Sequence, residues 1–263
     1  MKYLLYLPLI YVCLVGVLYI FQRSLIYFPP HRIPDVSFYA ADGVFEVTAD
    51  TIDGLTLNGW MRHPEDIKET IIFFHGNASS VDSAIYKIAP YAAQGYGFLL
   101  AGYRGYSGNR GKPSEQGLYN DARAWIKRLK NFGISEDKII LYGESLGTGI
   151  AVQMATEFPN VRAVILESPY TNLPDVAAKS YPFVPVRLLM KDKFDSLSKI
   201  GNMDAPLLIL QGMDDKTIPP ALGKNLFASA KEPKEIIQLE GYGHNDMPPD
   251  ILAVRAMQFL DNL

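Results

Sequence analysis

Cysteine is nearly missing from this chain. Cys13 is its only one, which excludes an intramolecular disulfide, a CxxC redox pair and a thiolate zinc site. An excess of charge of either sign is also lacking. The chain has 25 Lys and Arg against 28 Asp and Glu, a net charge of −3. With no basic stripe to meet a phosphate backbone, no nucleic-acid partner is expected. There is no internal repeat and no low-complexity linker. The 263 residues, 48% of them hydrophobic, can bury one large core, and nothing in the count demands two domains.

What the chain does have, first, is an uncharged apolar run. YLLYLPLIYVCLVGVLYIF fills residues 3–21 between Lys2 and Arg23. At about 1.5 Å per helical residue it reaches roughly 28 Å, close to the ~30 Å hydrocarbon core of a bilayer. The run is longer than the apolar part of a signal peptide, and no small-x-small cleavage site follows it. Bulky Ile10, Tyr11 and Val12 ahead of Cys13 argue against a lipoprotein signal. An uncleaved single-pass anchor is therefore expected over residues 1–23, with residues 24–263 forming the remaining domain. Pro8 is tolerable near the start of such a helix, and Tyr3, Tyr6, Tyr19 and Tyr27 suit its two interfaces. Lys2 and the terminal amine balance Arg23 and Arg32, so the positive-inside rule assigns no side of the membrane.

Beyond residue 44 short β-rich runs alternate with longer amphipathic ones. FEVTAD (45–50) and LTLNGWMR (55–62), joined across Asp53-Gly54, read as an opening hairpin. TIIFFH (70–75), YGFLLA (96–101), KIILYG (138–143), VRAVIL (161–166), APLLIL (205–210) and KEIIQL (234–239) read as buried strands of a mostly parallel sheet. Helices are expected near 81–93, 115–131, 146–158, 219–230 and 248–262, the second opened by Pro113-Ser114-Glu115. This alternation defines an α/β fold. One interval breaks the rhythm: roughly 38 residues separate Leu166 from Ala205, too many for a structureless loop. It contains Pro174, Pro182 and Pro185 with Tyr181, Phe183, Val184, Leu188, Leu189 and Met190. It reads as a short helical cap, about 168–200, over the carboxyl ends of the strands; the plainer reading is that these apolar residues pack a connecting helix.

GESLG (143–147) has the form GxSxG, which chance alone supplies about once in ten chains of this length. Its context carries more weight, because a buried strand precedes it and Gly147, Thr148, Gly149 and Ala151 open a helix after it. A nucleophile on a sharp strand-to-helix turn needs such small neighbours. Ser145 then requires a base, and four histidines are available. His31 and His63 sit beside prolines in loops, and His75 ends a strand and is expected to hold the following turn. His244, in the glycine-rich loop GYGHND, is the expected base. An acid should follow the preceding strand, where LILQGMDDKTIPP offers Asp214 and Asp215, with Glu167 a third candidate. Two backbone donors for an oxyanion are expected from Asn77, in FFHGNASS, and Leu146, directly after the serine. Asn77-Ala78-Ser79 is formally a glycosylation acceptor, but a loop facing a pocket is a poor site for a glycan.

Taken together, QRSLIYFPP (22–30), FFHGNAS (73–79), YRGYSGNRGKPSEQGLYNDARA (103–124), YGESLGTGIAV (142–152), ESPYTNL (167–173), PLLILQGMDDKTIPP (206–220) and GYGHND (241–246) resemble the α/β-hydrolase superfamily. Within it they are similar to the membrane-anchored bud-emergence-type and ABHD-type serine hydrolases. The resemblance covers nearly the whole chain. It implies an eight-stranded hydrolase fold, and the family spacing of glycine, two residues, aspartate, counted from Gly212, selects Asp215 over Asp214 and Glu167. The order Ser145, Asp215, His244 is that of the fold. Two positions depart from the family pattern: Gly102 stands where an acidic residue is common, and Ser79 where a glycine is.

The expected activity is hydrolysis of a carboxylic ester or thioester, the resemblance pointing to a lipid or acylated protein, through a Ser-His-Asp triad and an acyl-enzyme. No metal or organic cofactor is required, and a monomer is expected. Ser145 at the turn excludes the aspartate nucleophile of the dehalogenase and epoxide-hydrolase branches. The enzymatic alternative is a peptidase, since some relatives are serine aminopeptidases; the alternative from another class is a non-catalytic binding protein that keeps the fold.

Overall fold

The structure is a computed structural model that describes residues 6–30, 32–66 and 68–263. Lys2, Tyr3 and His31, named above, lie outside the described residues. The apolar run forms helix α1, Tyr6–Ile26, which is long and apolar enough to cross a membrane. It does not end at Arg23 but continues one turn further, to Ile26. A 3₁₀ turn follows over Val36–Asp42.

Among the described residues eight strands make one sheet: β1 Phe45–Asp50, β2 Thr56–Arg62, β3 Thr70–Phe74, β4 Gly97–Leu100, β5 Ile139–Glu144, β6 Ala163–Glu167, β7 Leu207–Gly212 and β8 Lys234–Leu239. Their order is β1-β2-β4-β3-β5-β6-β7-β8. β2 pairs antiparallel with β1 and β4, and all other pairs are parallel. β1 and the start of β2 alternate buried and exposed positions, β2 becoming continuously buried over Gly59, Trp60 and Met61 where it meets β4, whereas every residue of β3, β6 and β7 is buried. The latter pattern is what a parallel strand covered on both faces requires.

The covering helices are α2 Val81–Ala92, α3 Glu115–Asn131, α4 Leu146–Glu157, α8 Pro220–Ser229 and α9 Pro249–Asp261, with three short helices, α5 Leu173–Ser180, α6 Val186–Leu189 and α7 Leu197–Ile200, in the cap interval. Alternation along a strand assigns side chains to the two faces. Ile72, Phe74 and Leu141 join Leu118, Trp125, Ile150 and Met154 of α3 and α4. Ile71, Phe73, Ile140 and Tyr142 join Val81, Ile88, Leu252 and Phe259 of α2 and α9. Each fully buried Leu, Ile or Phe contributes about 1.5–3 kcal/mol, so these two layers hold the sheet edges rigid where the loops emerge. Ser114 caps α3 as its sequence suggests, its hydroxyl accepting from Gly117 N–H at 3.1 Å. At Gly102 a Cβ would lie 1.9 Å from the Asn58 carbonyl oxygen, which explains why this chain carries no acidic side chain there.

Candidate active site

β5 runs into Ser145 and straight on into α4, so the chain must reverse within one residue. Ser145 takes φ 50° and ψ −113°, a strained backbone held on both sides: its N–H donates to the Glu167 carbonyl at 2.9 Å, and its own carbonyl accepts from Thr148 N–H at 3.0 Å. The flanking glycines are sterically required. A Cβ on Gly147 would sit 1.9 Å from the Phe74 carbonyl oxygen, and one on Gly143 would sit 2.6 Å from the Gly147 oxygen. The helix therefore starts in contact with the strand, with Ser145 at the tip.

Two loops from the carboxyl end of the sheet converge on it. Asp215 follows β7 and is 5% exposed; its Oδ1 accepts from Thr217 and Ile218 N–H, each at 2.8 Å. His244 follows β8. Its Nδ1 lies 2.7 Å from Asp215 Oδ2 and its Nε2 lies 3.0 Å from Ser145 Oγ. Because a carboxylate only accepts, Nδ1 is the donor to Asp215, an arrangement in which a neutral imidazole would offer its Nε2 lone pair to the serine hydroxyl. The two loops are joined to each other: Asp214 N–H donates to the Tyr242 carbonyl at 2.8 Å. Gly212 lies so close that a Cβ would come within 2.4 Å of the Gly243 oxygen. Asp214 itself is exposed.

The remaining candidates are placed elsewhere. Glu167 faces Lys87 and Tyr142 instead of His244: Lys87 Nζ bridges Glu167 and Glu144, at 2.7 Å from the latter, and Tyr142 donates to Glu167 at 2.8 Å. Burial raises the Glu167 carboxyl pKa against the pull of Lys87. Burial alone would lower the Lys87 ammonium, but the two carboxylates outweigh it and hold it protonated. His63 is exposed, its ring tilted against Phe45 and edge-to-face with Phe132. His75 is buried in the turn it ends. Its Nδ1 donates to the Gly76 carbonyl at 2.9 Å, its ring packs 4.1 Å from that of Tyr103, and burial pushes its pKa down to about 4.

Asn77 and Leu146 line the same cavity as Ser145 and His244. As the first residue of α4, Leu146 has an N–H with no intrahelical acceptor. The Asn77 side chain fixes its own loop, Oδ1 accepting from Phe28 N–H at 2.9 Å and from the Tyr106 hydroxyl at 3.0 Å. Glu144 adds a hold on this loop by accepting from Gly76 N–H at 3.3 Å. The YRGYSG segment supplies the support beneath: Arg104 is clamped between Asp53 and buried Asp121, and the Tyr103 hydroxyl donates to the His75 carbonyl at 3.1 Å. The cavity measures about 770 Å³ and runs from these polar groups to an apolar end lined by Leu25, Ile26, Leu173 and Val176. Such a volume holds a substantial organic ligand. Among the described residues no three His, Cys, Asp or Glu side chains gather as a metal site.

The sequence assigns no role to Lys87, to Glu144 within GESLG, or to the end of α1 within QRSLIYFPP. Lys87 had a signal: it shares a helix face with Ala84, Ile88 and Tyr91, all buried, and a lone cation on an apolar face must find acid partners. Nothing local marks Leu25 or Ile26 as lining a cavity.

A mostly parallel sheet with a strand-to-helix serine turn at its carboxyl edge defines an α/β protein of hydrolase architecture. Comparison with known proteins agrees. A family profile for the alpha/beta hydrolase fold matches residues 69–197. An uncharacterized protein of Mycobacterium tuberculosis is 37% identical over 242 residues, covering 90% of this chain and 84% of its own. The human alpha/beta hydrolase domain-containing protein 17B is 33% identical over 195 residues, or 72% of this chain; the match spans only 64% of that relative's length. In structure, an esterase of Pyrococcus furiosus matches with a TM-score of 0.73 at 20% identity, over 89% of this chain and 98% of its own. An alpha-beta hydrolase of Vibrio vulnificus matches with a TM-score of 0.75 at 22% identity, over 92% of each chain. The chain belongs to the α/β-hydrolase superfamily.

Proposed function

We propose that this protein is a serine hydrolase that cleaves a carboxylic ester or thioester of an acyl-bearing substrate, held at a bilayer by residues 1–23 and acting through the domain 24–263. The observation that carries this reading is the unbroken hydrogen-bonded line from Ser145 Oγ through His244 to Asp215, facing a cavity of about 770 Å³. Ser145 Oγ attacks the acyl carbon while its proton passes to His244 Nε2. Asp215 stabilises the imidazolium, and its own Oδ1 is kept in place by two backbone donors. The N–H groups of Asn77 and Leu146 receive the developing oxyanion. His244 then protonates the leaving alkoxide or thiolate, and water returns through the same base to release the acid. The apolar end of the cavity suits an acyl chain better than a peptide.

The test is labelling with a fluorophosphonate together with hydrolysis of a panel of acyl esters, thioesters and amides of graded length. Wild type is expected to label and to turn over esters and thioesters. Ser145→Ala is expected to do neither, with turnover reduced by roughly 10⁴-fold or more. Folded wild-type protein that neither labels nor hydrolyses an activated ester would sink the reading.

A further inference from the structure

The end of α1 is built into the cap. Gln22 Oε1 accepts from Lys191 N–H at 2.7 Å, and the Arg23 guanidinium meets the Asp192 carboxylate at 2.8 and 3.1 Å. Tyr27 donates to the same carboxylate at 3.2 Å. Further back along the helix, the Tyr11 hydroxyl donates to the Phe183 carbonyl at 2.8 Å. Tyr11 and Arg23 are separated by about 18 Å of helix at ~1.5 Å per residue. The cap therefore follows α1 along more than half of a helix long enough to cross a membrane.

That placement has a physical consequence for residues 181–190. If α1 lies in a bilayer, this segment lies beside it at hydrocarbon depth. Its composition suits that depth: YPFVPVRLLM has one charge, Arg187, which pairs with Asp175 at 2.8 Å. Phe183 is 85% exposed and Leu188 80%, an unfavourable display in water and a favourable one in lipid. Between helix and cap runs a groove of about 100 Å³ whose walls include Val15 and Leu18 on one side and Val184 and Val186 on the other. Leu25, Ile26, Ala177, Tyr181 and Met190 line both this groove and the cavity of Ser145, so the two spaces adjoin. The groove has room for a short stretch of one alkyl chain and an almost wholly apolar wall.

Resting on the serine-hydrolase reading, we infer that the groove between α1 and the cap is a lateral entrance, through which one acyl chain of a bilayer-resident substrate reaches Ser145 from within the leaflet. The carbonyl then sits at the polar end of the cavity while the tail lies along α1. The membrane helix is in this way part of the substrate site.

The experiment uses the full chain in phosphatidylcholine vesicles and a hexadecyl fluorophosphonate carrying a diazirine at the chain end. Ser145 Oγ bonds to phosphorus, fluoride leaves, and the hydroxyl proton goes to His244. Photolysis then expels dinitrogen, and the carbene inserts into the nearest side chain. Cross-links are expected on Val15, Leu18 or Val184. A phosphonylated Ser145 with cross-links confined to the opposite wall, at Ser83 or Tyr86, would overturn the entrance while leaving the hydrolase reading standing. Failure to form the Ser145 adduct would overturn both. Independently, Leu18→Trp and Val184→Trp should lower the ratio of palmitoyl to butyryl ester turnover by about tenfold or more. An unaltered ratio in both folded variants would count against the entrance.

Discussion

Asp215 presents its two oxygens to different partners: Oδ1 accepts from the Thr217 and Ile218 amides, and Oδ2 lies 2.7 Å from His244 Nδ1. An asparagine here would keep its oxygen on the two amides and turn its NH₂ toward His244. The imidazole would then have to accept at Nδ1 and carry its proton on Nε2, which removes the base from Ser145. Asp215→Asn is expected to lower kcat by about 10⁴-fold. Asp214→Asn, at an exposed position, should stay within about threefold of wild type. Steady-state kinetics on an activated ester checks this, and a larger loss at Asp214 would reverse the assignment.

The turn at Ser145 leaves no space for a methyl group. In Gly147→Ala the new Cβ would collide with backbone at Phe74, and backbone in a covered strand cannot move aside cheaply. A loss of about 3 kcal/mol or more is expected, seen as a lower urea midpoint or as insoluble protein. A wild-type midpoint would mean that α4 can shift away from the sheet.

Lys87 serves two carboxylates at once. Lys87→Met would leave Glu144 and Glu167 facing each other beneath the serine, at a cost of about 3–5 kcal/mol. Lys87→Met combined with Glu167→Gln should recover about half of that loss, because a neutral amide no longer repels Glu144. Denaturant melts of the three proteins test the network, and a double variant no better than Lys87→Met would refute it.

Acid should weaken the fold through His75. Burial drives this imidazole from 6.5 to about 4, against the opposing effects of the Gly76 carbonyl and Glu144. Below pH 6.5 the unfolded chain binds a proton there that the folded protein refuses until about pH 4. Stability contributed by the neutral ring is therefore complete above pH 6.5 and falls across that window by roughly 3 kcal/mol. In His75→Phe, which keeps a ring against Tyr103, the urea midpoint should fall less between pH 6.5 and 4 than in wild type. Parallel curves for the two proteins would contradict the assignment.

The central strands were readable because burial on both faces leaves continuous apolar runs, and Ile71 to Phe74 or Leu207 to Leu210 carry that signature without help from neighbours. The cap was readable as an interval too long and too apolar to be a loop, but not as three short helices, since its prolines mask the pattern. Position after the strand left Asp214 and Asp215 equivalent until the family spacing chose between them; in space, burial, the two amides on Oδ1 and the contact with His244 set Asp215 apart. The docking of α1 on the cap was invisible for a different reason. Arg23 and Asp192 are ordinary charged residues in sequence, and their pairing across 169 positions has no local periodicity to betray it.

Asp192 holds both Arg23 and Tyr27, and Leu25 and Ile26 stand between them. Removal of the helix would therefore reach the cavity itself. A fragment without the helix would lose one wall of its cavity and one hold on its cap, and on the proposed reading its acyl selectivity would change. A truncated form made for convenience in solution would share that altered selectivity, and its preferred acyl length would describe the fragment rather than the whole chain.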